Sequence, residues 1–508
     1  MWIGLVREPI WECNVQNPGS GSKQLGPDCD EVVRHAWSLA QAAGATVGLT
    51  AKIRATRMQL MQWDKTSFGN IRHQSKELND KICALERKDI TTATKIELEG
   101  LHDSLEQLGT REEILWKQHA KALWLKAGDR NTSFLHAKAN EHRVRKEIQK
   151  IQNEKGDEIS DKEGIQKVVV RYFRTIFAST NPTPESVEEV LWSLDRQLTP
   201  AMSEALLQPF SAEEVSQALK QIHPLKSPGL DGMSPIFFQK YWSIVGPDVC
   251  SSVLDFLNTS YFDPLMNFTQ IVIIPKCPNP TDMTHFRPIS LCNVLYKLAS
   301  KAIANRIKPF LDTLISTSQV VFVLGRLITG NVLVAYELNH FLKHKNKGKK
   351  AEHTGAITGV AVSRSAPSIF HLLFADDTLI YCQTTSNAMR CLRDILLKFE
   401  KASSLKINLQ KFAMVFSRNV DEGSCMELAN ILGVAVVPKH EKYLGLPTIA
   451  GRSKRELFES IKDRIWSKLH CWLAKKLSQA GRGVLLKIVL QSIPIYAMGC
   501  FRLPDSFL

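Results

Sequence analysis

The chain has 508 residues, 44% hydrophobic and 23% charged, a composition that fits a folded globular protein and excludes a disordered one. Its 65 Lys and Arg outnumber 51 Asp and Glu, and a net charge of +14 favours polyanions, chiefly nucleic acid or an anionic membrane surface. No apolar run approaches the ~20 residues of a membrane span, no signal-peptide pattern opens the chain, and the eleven cysteines contain no Cys-x2-Cys pair, which points to reduced, intracellular thiols rather than a disulfide framework or zinc ribbon.

Residues 1–30 read as irregular, with NPGSGSKQLGPD as a loop. The stretch 31–223 reads as a helical linker region. Within it Trp63, Phe68, Ile71, Leu78, Ile82 and Leu85 fall near helical spacing with Lys and Glu between them. No heptad is sustained, so packed helices are expected rather than a coiled coil. The tract KAGDRNTSFLHAKANEHRVRKEI is more basic; Arg143, Arg145 and Lys146 suit either phosphate or a solvated helix face.

At 224–235 the string PLKSPGLDGMSP is a loop, by its prolines and glycines. TQIVIIPK (269–276) reads as a buried strand closed by Pro275 and Pro278. HFRPISL follows, then the amphipathic helix NVLYKLASKAIANRIKPFL, then a second helix, GNVLVAYELNHFLKHKNKGKK, that ends in a basic run. The string IFHLLFADDTLIYC (369–382) reads as a hairpin of two apolar runs with Asp376 and Asp377 at its tip. A helix over 387–404 is next, and KINLQKFAMVFS gives a further strand or strand pair. Between Lys439 and Lys487 twelve Lys or Arg face four acids, which puts +8 of the chain's +14 in one segment, with Trp466 and Trp472 among the charges. Such a surface suits a nucleic-acid backbone, and the two Trp suit either bases or a core.

Paired aspartates are ordinary in turns, because Asp tolerates tight turns and hydrogen-bonds its own backbone. Here both flanking runs are apolar on both faces, so the hairpin is expected to be covered on both sides. Adjacent carboxylates at the rim of a buried sheet repel unless a cation offsets them. Mg²⁺ takes one or two carboxylates and fills its octahedron with phosphates and water. Two such ions can activate a 3′ hydroxyl and stabilise a leaving pyrophosphate. For the triphosphate, IPKCPNPTDMTHFRPISL offers Lys276 and Arg287, unless Arg287 pairs with a local acid such as Asp282.

FADD, with HFRPISLCNVLYKLASKAIANRI upstream and NLQK downstream, resembles the reverse transcriptases of plant non-LTR (LINE-type) retrotransposons. KSPGLDG, IPKCPNP, GRLITGN and KYLGLPTIAGRSK fit the same family in the same order, the last leading into its thumb. The tract around WLKAGDRNTSFLHAKA resembles the segment that joins the family's endonuclease to its polymerase. The resemblance spans roughly 30–508. It implies an α/β plus α fold: a right-hand fingers–palm remnant at 224–416, a helical N-terminal region, and a basic helical thumb at 417–508. It also implies RNA-directed DNA polymerase activity, with an RNA template, a DNA primer, deoxynucleoside triphosphates and a two-Mg²⁺ centre. Asp376 and Asp377 match the catalytic, metal-binding aspartates of the palm, Asp376 the firmer ligand. Lys276, Arg287 and Lys411 match residues near the triphosphate. Lys454, Arg455, Lys475 and Lys476 lie on the thumb segment expected to meet nucleic acid.

The chain departs from that pattern where the palm should supply another aspartate. Between Glu337 and Asp376 the only acid is Glu352, and no Gln occurs between Gln319 and Gln383. A strand–helix–strand unit needs roughly 30 residues or more, and 341–368 are too few and too polar. An internal deletion near 345–356 is the expectation, either in the protein or through a gene-model artefact. Absence of the endonuclease, and of the segments some relatives carry after the thumb, is a second expectation. The sequence thus supports a reverse transcriptase by descent that is inactive in this copy. Its rivals are a non-catalytic nucleic-acid-binding remnant and an unstable product without function. A nuclear or cytoplasmic location follows from the resemblance alone.

Overall fold

The computed structural model describes residues 28–42, 48–63, 71–87, 91–120, 148–194, 196–261, 263–344, 357, 359–363, 365–440, 442–448, 455–473 and 479–502. The chain forms two compact units, each assembled from stretches distant in sequence. One draws on Met1–Ile176, Leu207–Arg306 and Lys475–Arg482, the other on Phe177–Leu206, Ile307–Ala474 and Gly483–Leu508. The unit boundary after Arg306 falls inside the stretch 224–416 and is marked by no shift in composition.

The first unit is built mainly of helices. Asp28–Ala42 and Leu49–Trp63 share a core with Ala212–Gln221, Pro235–Lys240, Trp242–Thr259 and Val294–Ile307. The Trp37 indole and the Lys52 ammonium both donate to Asp248 Oδ2, at 2.8 and 2.9 Å, and fasten the two early helices to a later one. Ala212–Gln221 starts where it does because Ser211 and Glu214 form a reciprocal capping box. Arg306 closes this core. Its guanidinium lies 3.5 Å from the Phe210 ring centroid, pairs with Glu214 at 2.7 Å, and donates to the carbonyls of Gln208 and Pro209.

A two-stranded ribbon, Thr269–Pro275 against Phe286–Cys292, completes the unit. The sequence reading makes the first strand buried, but only Ile273 is, because only one face of the ribbon is covered. That face packs Ile273 and Phe286 on Ile165, Val169 and Phe173, which sit one turn apart on the helix Lys162–Phe177.

The second unit holds the aspartate hairpin, His371–Phe374 against Asp377–Ile380. The helix Ile328–His344 covers one face, through Ala335 and Leu338 against Leu372 and Tyr381. On the other face Ile380 and Cys382 pack on Ser386–Ser403 and Glu422–Leu432. KINLQKFAMVFS does not form the strand pair within itself that one reading allows. Leu409–Lys411 is a 3-10 turn, and Ala413–Met414 pairs in parallel with Ala435–Val436. The helix Arg455–Leu473 buries Phe458 and Ile461 against Val332, Leu446, Ala497 and Phe501. Sheet structure among the described residues is limited to five two-stranded pieces. No described helix is long and apolar enough to cross a membrane.

Candidate nucleic-acid and metal site

The register pairs Phe374 with Asp377, so the turn consists of Ala375 and Asp376 and the second aspartate already belongs to a strand. Of the two turn residues Ala375 alone has a positive φ, 54°. That is the first central position of a two-residue turn, where a type II′ hairpin favours glycine. Alanine there carries local strain of about 1–2 kcal/mol, which the surroundings must hold. Gln319 does so. Its side-chain oxygen accepts from the Ala375 amide and from the Val321 amide, at 3.2 Å each.

The segment around Gln319 also serves as a third strand in miniature. Leu373 donates its amide to the Ser318 carbonyl at 2.9 Å, and its own carbonyl accepts from the Val320 amide and from the Asn331 side chain. Val360 and Ile369 exchange both amide hydrogen bonds at 2.9 Å and extend the hairpin at its base. The backbone groups of Leu373 that would lie open at a free edge are therefore satisfied. Neither Gln319 nor Asn331 stood out in the sequence, because each works through a contact more than forty residues away.

Both aspartates are exposed. Tyr443, in the short hairpin that pairs Lys442–Tyr443 with Leu446–Pro447, is buried in one cluster with Leu372 and Tyr381 of the aspartate hairpin. Burial pushes its phenol up to about 12, and the charge of Asp377 adds to that. The pair offers ligands enough for one Mg²⁺. A second ion would need further carboxylates, and among the described residues no group of three or more His, Cys, Asp or Glu is placed to hold a metal. Among the described residues the donors thus amount to the set for one ion. Residues 345–356, where the sequence departs from the polymerase pattern, lie outside the described residues.

Lys276 and Arg287 sit in the first unit, whereas Asp376, Asp377 and Lys411 sit in the second. Arg287 is opposite Ile274, and the ladder continues through the Lys276 amide to the His285 carbonyl at 2.8 Å. That register puts Lys276 and Arg287 on one exposed face of the ribbon, away from its packed side. Lys276 Nζ donates to the Thr284 carbonyl at 2.6 Å, which fixes its ammonium over the loop. Arg287 makes no ion pair with Asp282, which instead caps the turn Met283–His285. Lys411 is exposed at the end of its 3-10 turn.

On Arg455–Leu473 the buried residues Phe458 and Ile461 define the inner face. Lys462, Arg464, Lys468 and His470 are exposed, and Trp466 is 61% exposed with its ring edge-on to His470 at 4.9 Å. Trp466 is thus a surface aromatic and not a core residue, with Lys462 and His470 one turn to either side of it and Asp463 beside Lys462. Lys454, Lys475 and Lys476, and the side chains of Arg455 and Trp472, lie outside the described residues.

No family model matches the chain. It is similar to the Transposon TX1 uncharacterized 149 kDa protein of Xenopus laevis, 26% identical over 321 residues, which are 60% of this chain and 24% of that protein. It is also similar to a putative ribonuclease H protein of Arabidopsis thaliana, 38% identical over 63 residues, or 12% of this chain and 10% of that one. The chain spans about a quarter of the first relative's length and a tenth of the second's. Its relationship is thus to a transposon-encoded protein.

Proposed function

We propose that the chain descends from the reverse transcriptase of a non-LTR retrotransposon and that in this form it binds nucleic acid without extending a primer. The observation that carries the binding half is the exposed Trp466 on a helix that also exposes Lys462, Arg464 and Lys468, since phosphates meet Lys and Arg while bases stack on aromatic rings. Descent is supported by the order of KSPGLDG, FRPISL, FADD and KYLGLP and by the similarity to a transposon protein. Lack of synthesis is supported by the sequence between Glu337 and Asp376, which holds no acid but Glu352, and by the two carboxylates at the hairpin turn, which among the described residues have no third beside them. Asp376 and Asp377 would hold one Mg²⁺, and two-metal chemistry, which stabilises both the attacking and the leaving oxygen, would need a second.

The test uses the full-length protein, an RNA template and a labelled DNA primer, with Mg²⁺ or Mn²⁺ in turn. The expected result is a salt-sensitive rise in primer anisotropy with no extension product. Template-dependent incorporation that Asp376→Asn abolishes would overturn the inactive reading. Absence of binding at low salt would overturn the binding half.

A further inference from the structure

A second aromatic stands in the open, on a segment that the nucleic-acid reading does not use. Phe322 is 82% exposed, with Leu324 and Leu327 beside it also largely exposed. Water-facing placement of three large apolar side chains within six residues is unfavourable unless something covers them. Phe322 also has φ 67°, a left-handed conformation that a bulky residue adopts only when its surroundings impose it.

The surroundings do impose it. Arg326 is nearly buried and reaches back through the loop. It donates to the carbonyls of Ser316 at 2.5 Å, Gln319 at 2.6 Å, Ile315 at 3.1 Å and Asp312 at 3.3 Å, and pairs with the Asp312 carboxylate at 2.9 Å. The 316–327 loop is therefore a rigid mount, and Phe322 is held out from it rather than left over. The same Gln319 oxygen that fixes the Ala375 amide fixes the Val321 amide. Phe322 and Asp376 are thus each one residue along from two amides that converge on a single acceptor.

We propose that Phe322 is a stacking platform for an unpaired base of a single-stranded nucleic acid that passes the Asp376 turn, with Leu324 and Leu327 forming its apolar rim. Three observations select a base over a protein side chain as the occupant. The ring is the one aromatic among the three exposed apolar side chains and is held on a hydrogen-bonded loop, as stacking requires. The mount is continuous with the carboxylate turn. The chain as a whole carries +14 and draws in polyanions. Stacking of this kind tolerates any base, because each has a π face. The inference rests on the nucleic-acid reading above and adds to it a contact that phosphate binding alone does not predict.

The experiment compares the full-length protein with Phe322→Gly, Phe322→Ala and Phe322→Trp. Glycine accepts φ 67° without strain, so it removes the ring while preserving the loop. Fluorescence anisotropy is read on a labelled oligo(dT) and on an abasic oligonucleotide of equal length and charge. Loss of the ring should weaken oligo(dT) binding by about 5- to 150-fold and leave abasic binding within about twofold. Tryptophan should restore the oligo(dT) affinity. Equal loss on both ligands, or no loss on either, overturns the stacking role while salt-sensitive binding of the parent protein leaves the nucleic-acid reading standing. A parent protein that binds neither ligand at low salt overturns both.

Discussion

Asp231 in the KSPGLDG loop is the clearest case of a residue whose charge works against the fold. Gly229 brings the backbone against Asn293, where a Cβ would lie 2.2 Å from the Asn293 oxygen, and so draws the loop inward. Lys297 Nζ donates to the Ser227 carbonyl at 2.7 Å and Arg57 to the Leu230 carbonyl at 3.2 Å, both holding the loop by its main chain. Burial then pushes the Asp231 carboxyl up to about 6; the Met233 amide and the two cations only partly offset it. The fold favours the neutral acid, so its stabilising contribution is full below the ordinary carboxylate range and is lost as pH rises through about 6. Asp231→Asn should therefore raise stability at pH 7.5 by on the order of 2 kcal/mol and change little at pH 4. Urea titration at the two pH values decides it, and an equal difference at both would assign the effect to packing. Glu214 has the opposite sign. Burial raises its pKa, but the Arg306 guanidinium and the Ser211 amide outweigh that and hold it below its ordinary value. Its contribution is present above the ordinary Glu range and fades as pH falls through the depressed value. Arg306→Ala leaves that carboxylate and two carbonyls without their cation, and should cost about 3 kcal/mol in thermal or chemical denaturation at pH 7.

Among the elements, the aspartate hairpin decides how much the sequence could tell. Its apolar runs, its turn and its two covered faces were legible, because continuous apolarity on both faces needs cover on both. Hidden from view was what supplies the cover. Ile328–His344 lies across one face with Leu338 fully buried, and Ser318, Val320 and Asn331 bind Leu373. Such contacts come from tertiary pairing and leave no local pattern. Trp466 and Phe322 were likewise illegible, since helical spacing does not say which face meets solvent and a single Phe carries no sign of its φ. The hairpin should therefore behave as a packed element. Amide exchange at Leu373, Ile369 and Val360 should be slowed well beyond that of exposed loops, and fast exchange there would show that the hairpin is frayed. Leu338→Ala should cost about 3 kcal/mol and release that protection together with the fold, because the cavity opens directly against Leu372 and Tyr381.

Charge is a property of the molecule as a whole, and here it is unevenly spread. The segment 439–487 carries +8, and its described helix is anchored by Val332 from Ile328–His344 and by Ala497 and Phe501 from beyond it. A fragment starting near residue 430 would lose the Val332 contact, so binding belongs to the full chain. Each phosphate neutralised by Lys or Arg on single-stranded nucleic acid releases a counterion and contributes about 0.7 to the slope of log affinity against log salt. Lys462, Arg464 and Lys468 are exposed on the helix that carries Trp466, Lys462 on the flank of the ring and the other two on the opposite flank. Replacing all three by alanine should lower affinity for single-stranded RNA at low salt and flatten that slope by up to about 2. Their heads lie in water, so thermal stability should move little. Trp466→Ala should instead lower affinity at every salt concentration without changing the slope, because stacking releases no ions. Anisotropy titrations at several salt concentrations separate the two effects. A triple variant with an unchanged slope would show that this helix presents a solvated surface and that the polyanion sits elsewhere on the chain.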